Sequence, residues 1–290
     1  MTASLTHENK LGIITGASRG IGAAVARRLA AKGCNLLLTY SSASSVNVIE
    51  SLCRELSASH NIHCSHIAAD LLSPEEACQE ILRAAKELFT AYNPNGHFQV
   101  DVLVKNAGVS SNQHLNDGKV GAIGPPEFDR VYTVNVLAPL LLTQTIAPFL
   151  PTDRSGRIVS VLIVSSSIGY QGQSVYAGSK AAIEAMTRVW SRELSERATV
   201  NVINPGPVWE ICPYVDATPL VSYHGEEHVL AMAGQDADKF DAIVKGPMRG
   251  RRPGFTNEVA GTVDMLCSPE SGWTTGSVIC ANGGMKMSIA

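Results

Sequence analysis

The strongest constraint on the fold is an alternation of short apolar stretches with longer amphipathic ones along most of the 290 residues. Short apolar stretches fit buried strands, and the longer ones have helical periodicity. Strands joined through helices run parallel, because each helix returns the chain to the starting edge of the sheet. The pattern therefore predicts an α/β fold: a doubly wound, seven-stranded parallel sheet of the Rossmann type in a single domain, residues 1–290.

The boundaries of these elements follow from the apolar pattern and from Gly, Pro and Ser positions. The predicted strands are 11–15, 36–39, 63–69, 100–104, 157–164, 200–203 and 277–280. The predicted helices are 20–31, 46–59, 74–89 with Ser73 as its cap, 127–150, one that contains Tyr176, and 256–267. Residues 110–126 form a predicted polar loop, and residues 207–250, where the pattern loosens, a predicted lid over the substrate.

Composition narrows the class of protein. The net charge is -3 with scattered Lys and Arg, which argues against a nucleic-acid or anionic-lipid partner and favours a small ligand. No apolar run approaches the roughly 18 residues of a membrane span, and the first eight residues lack a signal-peptide pattern. Seven cysteines without C-x-x-C spacing fit reduced thiols. We therefore expect a cytoplasmic protein that does not bind membranes.

A glycine turn between the first strand and the first helix indicates a phosphate site. Gly16, Gly20 and Gly22 allow backbone donors and the helix dipole to approach a pyrophosphate closely. The segment after the second strand, 38–42, has no carboxylate that would repel a 2′-phosphate. Arg19, Ser41 and Ser42 offer donors to that phosphate, so the sequence favours NADP(H) over NAD, although the two serines can equally be ordinary solvated loop residues.

Tyr176 and Lys180 are spaced by four residues on a predicted helix. Side chains at i and i+4 are neighbours, so the ammonium can lower a phenol pKa that starts near about 10. Tyr176 is therefore a candidate proton donor, and Lys180 is the neighbouring charge that can lower its pKa.

These motifs together resemble the short-chain dehydrogenase/reductase family over nearly the whole chain. Asp70, the segment Asn106-Ala107-Gly108, Asn135 and the segment Asn204-Pro205-Gly206 also match it. The Ser41-Ser42 region is similar to NADPH-using members such as ketoacyl and hydroxynaphthalene reductases. The resemblance implies a homo-oligomer, dimer or tetramer, and a homotetramer is common among such members.

The resemblance also implies the site residues. Catalysis is assigned to Tyr176 as proton donor, to Lys180, to Asn135 as the anchor of a water that links Lys180 to solvent, and to Ser166. For Asn135, a role in kinking or packing its helix is the alternative. The implied cofactor-binding residues are Gly16, Ser18, Arg19, Gly20, Ile21, Gly22, Tyr40, Ser41, Ser42, Asp70, Leu71, Asn106, Ala107, Gly108, Tyr176, Lys180, Pro205, Gly206 and Val208.

The chain departs from the family pattern at three positions. Ile163 lies where the family has the serine that binds the substrate oxygen, and a shifted strand end that turns Ser165 or Ser166 into the site is the alternative. Lys105 replaces an asparagine and is expected near the adenosine ribose. Glu210 replaces a threonine, and either acts on substrate or is an exposed lid residue.

Two histidine groups have ligand-like spacing without matching a metal motif. His60, His63, Cys64 and His66 run into a strand whose side chains alternate. His224 and His228 lack the H-E-x-x-H order of zinc proteases. We therefore predict no metal.

Three functions fit the sequence. The first is an NADPH-dependent carbonyl reductase of a medium-sized apolar ketone, in secondary metabolism. The second is a redox-neutral cyclase, isomerase or dehydratase that has lost the serine. The third is a non-catalytic NADP-binding partner. Cofactor stoichiometry separates the first two.

Overall fold

A seven-stranded sheet, parallel throughout, forms the centre of the computed structural model, which describes residues 5–209 and 249–286. Its strands are β1 Leu11–Ile14, β2 Asn35–Tyr40, β3 Cys64–Ala68, β4 Val102–Lys105, β5 Gly156–Val161, β6 Ala198–Pro205 and β7 Val278–Ala281. They are ordered β7-β6-β5-β4-β1-β2-β3. The chain thus reverses its direction of travel between β1 and β4, which is where such sheets open a crevice at the carboxyl ends of their strands.

Helices cover both faces of this sheet. They are α1 Gly20–Ala30, α2 Val46–His60, α3 Pro74–Tyr92, α4 Pro125–Tyr132, α5 Ala138–Ile146, α6 Ser165–Ile168, α7 Ser174–Glu193 and α8 Thr256–Cys267. Two short strand pairs lie outside this sheet: Asn116–Asp117 with Gly121–Ala122, and Val208–Trp209 with Gly254–Phe255. The predicted fold class is confirmed.

Side chains of the central strands point into two separate apolar layers, one on each face of the sheet. Leu11 and Ile13 pack in one layer with α3, α5 and α7, whereas Ile14 packs in the other with α1, α2 and α8. Both layers exclude water almost completely, so the sheet is a rigid base for the loops at its edge. Four cysteines are buried in these layers as small apolar side chains, Cys34, Cys53, Cys78 and Cys267.

Three local predictions needed correction. Ser73 occupies the N-cap position of α3 and Pro74 starts the helix, both as predicted, but the Ser73 side chain makes no capping hydrogen bond. The strand predicted to reach Val164 ends at Val161, since the chain turns into α6 at Ser165. The long helix predicted from Glu127 begins at Pro125, and a π-helical segment interrupts it.

The helical run Pro125–Phe149 is long and apolar enough to cross a membrane by length and composition alone. Its buried side chains, Val134, Ala138, Leu142 and Ile146 among them, instead pack in the core layer against α3. The run is therefore a core helix in this structure.

Candidate active site

A cavity of about 330 Å³ opens at the carboxyl edge of the sheet, around the β1 and β4 ends. Most of the predicted site residues line it. They are Gly16, Ser18, Arg19, Gly20, Ile21, Tyr40, Ser41, Asp70, Leu71, Asn106, Ala107, Gly108, Tyr176, Lys180, Pro205, Gly206 and Val208. Gly22, Ser42, Asn135 and Ser166 are the predicted residues that do not line it.

The glycine turn has no room for a side chain at Gly16 or Gly22. Gly16 and Gly20 adopt positive φ angles of 63° and 62°, which favour glycine. A Cβ on Gly16 would lie 2.9 Å from Ala107 Cα, and one on Gly22 would lie 2.4 Å from the Gly16 carbonyl oxygen. Helix α1 begins at Gly20, so the N–H groups of its first turn and its positive dipole end face the turn. This cradle fits the pyrophosphate of a dinucleotide.

Hydrogen bonds from the end of β4 hold this turn in place. The Thr15 hydroxyl accepts from the backbone N–H groups of Asn106 and Ala107, each at 3.0 Å. The Asn106 side-chain amide donates to the carbonyl oxygens of Thr15 at 3.0 Å and Gly16 at 2.8 Å. Asn106 therefore stabilises the cradle, and it lines the cavity as well.

The adenosine end of the cavity has hydrogen-bond donors, and the exposed side chain of Asp70 lies at its rim. Arg19 and Ser41 line the cavity, and Ser45, which sequence reasoning missed, lines it too. The Ser42 hydroxyl instead lies 2.9 Å from the Ser44 hydroxyl and 3.0 Å from that of Ser45. Segment 38–45 brings no carboxylate here, so a 2′-phosphate on the ribose meets no repulsion from it.

Tyr176 and Lys180 lie on one face of α7 and are both buried. The Lys180 Nζ lies 5.7 Å from the centroid of the Tyr176 ring. Burial lowers the pKa of the Lys180 ammonium to about 8. Lys180 therefore still carries its charge at neutral pH, beside the phenol.

Asn135 lies in the π-helical segment Thr133–Leu137, between α4 and α5. Its side-chain oxygen accepts from the Val109 N–H at 2.9 Å, and its amide donates to the Val109 carbonyl at 2.8 Å and the Ser179 hydroxyl at 3.0 Å. The side chain thus connects the loop after Gly108 to α7, one residue before Lys180. That arrangement is the packing role considered for Asn135, and the water-anchoring role stays a prediction.

Comparisons with known proteins agree with this geometry. The family model for short chain dehydrogenases matches residues 10–210. L-xylo-3-hexulose reductase of Hypocrea jecorina is 61% identical and the alignment covers 98% of this chain and 99% of that protein. The chain belongs to the short-chain dehydrogenase/reductase family.

Two further relatives support this assignment. L-xylulose reductase of Aspergillus niger is 48% identical over 98% of this chain and 99% of its own length. Among solved structures, a blue fluorescent protein from a metagenomic library in complex with NADPH has a TM-score of 0.74 and 31% identity, covering 97% of this chain and 99% of that one. The chain is therefore an oxidoreductase of this family.

Ile163 is the main departure from the short-chain dehydrogenase/reductase pattern, and the structure places its side chain in the wall of the cavity. It packs with Val164 and Tyr176, and Tyr170 and Met285 flank this group. Ser165 is fully buried, and the Ser166 hydroxyl donates to Glu184 at 2.6 Å. Because α6 turns both serines away, neither lines the cavity, and the structure does not show the shifted arrangement considered for them.

The expectation for Lys105 is wrong. Its Nζ donates to the Thr143 hydroxyl at 2.7 Å and lies 3.8 Å from the centroid of the Trp190 ring. Neighbouring strand residues face opposite ways, so Asn106 turns to the glycine turn and Lys105 turns into the core. The nearest signal in the sequence is the apolar strand before it, which predicts burial rather than a ligand contact.

Several expectations lie outside the described residues: Glu210, His224 and His228, and most of the predicted lid. Within residues 5–209 and 249–286, no group of three or more His, Cys, Asp or Glu side chains could hold a metal ion. Arg130, Pro253 and Thr256 line the cavity without having been predicted. Arg130 carries no motif, and its place depends on the loop after Gly108, whose carbonyl at Ser110 it binds at 3.0 Å.

Proposed function

We propose that this enzyme is an NADPH-dependent reductase of a keto sugar in the class of L-xylulose and L-xylo-3-hexulose. One observation carries the proposal: Tyr176 and the buried Lys180 face the glycine-turn cavity in a chain that matches two named ketose reductases end to end. These relatives favour a polar keto sugar over a medium-sized apolar ketone and over a role in secondary metabolism.

The cradle and the adenosine end support NADP(H) as the cofactor. The glycine turn and the first turn of α1 would hold the pyrophosphate, and Arg19, Ser41 and Ser45 would hold the 2′-phosphate. A relative by structure binds NADPH. When bound, the reduced nicotinamide supplies a hydride to the carbonyl carbon of the substrate.

Residues of the protein would then supply the proton and stabilise the group that gives it up. Tyr176 would donate its phenol proton to the oxygen that becomes the new hydroxyl. Lys180 lies on the same helix face, and its positive charge favours the phenolate left behind. Asn135 holds the loop after Gly108 against α7, so Lys180 keeps its place when the phenol changes charge.

Ile163 supports a second candidate. Isoleucine offers no donor to the substrate oxygen, and loss of one such donor costs roughly 3 kcal/mol, or about a hundredfold in rate. A redox-neutral cyclase, isomerase or dehydratase would need Tyr176 as an acid without hydride transfer. Only the reductase consumes one NADPH for each product.

Deuterium transfer decides between them. The purified enzyme would receive NADPH labelled at nicotinamide C4 together with L-xylulose, other ketoses and a panel of apolar ketones, and products would be analysed by mass spectrometry. We expect label in a polyol product, and at least a hundredfold loss of rate in Tyr176→Phe. Tyr92→Phe removes a phenol hydroxyl at the end of α3 and is the matched control, since Tyr92 stacks on His63 and neither residue lines the cavity.

The label found in the product distinguishes the two candidate functions and the substrate class. Labelled product from ketoses that disappears in Tyr176→Phe supports the proposal. Labelled product from apolar ketones alone overturns the substrate class. Product without label or cofactor oxidation establishes the redox-neutral candidate.

We also propose that the enzyme is a cytoplasmic homo-oligomer, dimer or tetramer. Exposed apolar side chains on neighbouring helical elements support an assembly: Phe128 on α4, Leu137 after it and Val189 on α7. Light scattering after gel filtration gives the mass of the particle, and a monomer contradicts this proposal.

A further inference from the structure

Glu184 is an acid near the active site that the reaction described above does not use. It lies on α7, four residues after Lys180 and eight after Tyr176, and its side chain is half-buried. Residues spaced by four follow one face of a helix. Glu184 therefore continues the face that carries the candidate proton donor and its neighbouring cation.

One carboxylate oxygen of Glu184 accepts two hydrogen bonds. The Ser166 hydroxyl, which also lies 2.9 Å from the Ile163 carbonyl oxygen, donates to it at 2.6 Å, and the Asn204 side-chain amide donates to it at 3.0 Å. The hydroxyl bond is the shorter of the two. In the part of the chain that the structure describes, no Lys or Arg forms an ion pair with Glu184. Its hydrogen-bond donors there are these two neutral groups.

The two donors belong to backbone segments that form the wall of the cavity. Beyond the end of β5, Leu162 N–H donates to the Ile203 carbonyl and Val164 N–H to the Pro205 carbonyl, both at 2.9 Å. The segment 162–166 and the end of β6 are thus already joined by their backbones. Glu184 joins that unit to α7.

These three segments, the one after β5, the end of β6 and α7, all contribute to the wall of the cavity. Ile163 comes from the segment after β5, Pro205 and Gly206 from the end of β6, and Tyr176 from α7, and all four line the cavity. The distance between the Tyr176 phenol and the opposite wall depends on how α7 is docked against the other two. Misplacement by about 1 Å can cost a hundredfold in rate.

We propose that Glu184 is a positioning residue, which holds the Ile163 segment and the end of β6 against the helix that carries Tyr176. It acts through Ser166 and Asn204 and does not touch the substrate. The inference deepens the proposed reductase function and rests on it for its kinetic readout. It also gives the Ser166 hydroxyl a role, which is to donate to Glu184 and not to the substrate oxygen.

The test compares Glu184→Ala with Glu184→Gln, with Glu193→Ala as the matched control, since Glu193 is an exposed glutamate at the end of the same helix. We expect Glu184→Ala to lower kcat/KM for the ketose by about tenfold to a hundredfold. The amide oxygen of Glu184→Gln can still accept both bonds, so it should stay within about threefold of the wild type. Glu193→Ala should match the wild type.

Two further measurements separate positioning from other roles. If Glu184 acts through Ser166, the double variant Glu184→Ala/Ser166→Ala will be no slower than Glu184→Ala alone, because the two residues form one interaction. The pH profile of kcat/KM should keep its shape in all variants. A shifted profile would make Glu184 a proton-transfer group, and equal activity of Glu184→Ala and wild type would remove the positioning role.

The controls also separate this inference from the proposed function. Thermal melting confirms that each variant is folded, and if Glu184→Ala is not, the Glu184→Gln and Ser166→Ala variants give the comparison. If the wild type reduces no ketose, the proposed function fails, and NADPH fluorescence titration tests Glu184 instead. Weaker NADPH binding in Glu184→Ala than in Glu184→Gln supports it, and equal binding overturns it.

Discussion

Replacing Lys105 by methionine should make the protein more stable at neutral pH. The Lys105 side chain is only 4% exposed at the end of β4, among core residues. Burial lowers the pKa of its ammonium to about 7 from an ordinary value of 10.5. At pH 7 and below, that shift is a cost of about 5 kcal/mol in the folded state.

Methionine cannot replace two contacts of this side chain, so its gain in stability is smaller than that cost. The Trp190 ring, 3.8 Å from Nζ, stabilises the desolvated cation by about 2 kcal/mol. The hydrogen bond to Thr143 contributes about 1 kcal/mol. A methionine fills a similar volume without a charge, so we expect Lys105→Met to raise the free energy of unfolding by about 1 to 3 kcal/mol at pH 7.

The dependence on pH gives a sharper test. In the unfolded chain Lys105 stays protonated up to about pH 10, whereas in the folded protein it loses its proton near pH 7. The wild type therefore gains stability with rising pH over this window, and the methionine variant does not gain it. Between pH 6 and pH 9 the advantage of Lys105→Met should shrink by about 3 kcal/mol.

Urea unfolding of both proteins without cofactor, at pH 6, 7.5 and 9, measures this difference. Lys86→Met is a control, because Lys86 is an exposed lysine of α3 that also contacts aromatic rings. A destabilised Lys105→Met at pH 7, or an advantage that does not change with pH, would falsify the account of Lys105 as a costly buried cation.

Three further predictions follow from the described geometry. Ile163→Ser should raise kcat/KM for ketose reduction at least tenfold by restoring a donor in the cavity wall, and an unchanged kcat/KM in steady-state kinetics contradicts this. The reduction rate should fall about tenfold per pH unit above pH 8, where Lys180 loses its proton, so a flat profile to pH 10 contradicts its role. Burial first, then neighbouring cations, lower the pKa of His7 to about 4, so folding leaves it neutral; between pH 6.5 and pH 4 the wild type should lose about 3 kcal/mol relative to His7→Gln in urea unfolding.

The order of elements and the contents of the cofactor cavity could be predicted from the sequence because both depend on local signals. Gly16 and Gly20 have backbone angles that few other residues adopt, and the strand before them is apolar throughout. The i, i+4 spacing of Tyr176 and Lys180 depends only on helix geometry, and α7 confirms it. Such features require no knowledge of what packs against them.

Features that depend on long-range packing could not be predicted. The side chain of Lys105 faces α5 and α7, which follow it by dozens of residues. Ser166 and Glu184 are joined only because α6 and α7 are neighbours in space, and neither has a motif. Ser45 takes the place expected for Ser42 because a single 3-10 turn, Ala43–Ser45, rotates the serines after β2.

The reversal of the sheet between β1 and β4 divides the site by chain order. Apart from Val109, Arg130 and Val134, the lining comes from two stretches: residues 16–108 supply the cradle and the adenosine end, and residues from 161 onward supply the wall around Tyr176. The hydrogen bonds that stabilise the cradle come from β4, within the first group. The residues that would face the 2′-phosphate of NADP(H), Arg19, Ser41 and Ser45, are thus distant in sequence from Ile163 and Tyr176. A directed-evolution library over segment 38–45 should change the choice between NADP(H) and NAD(H) while leaving the choice of ketose untouched, and two such libraries could be recombined by a single crossover.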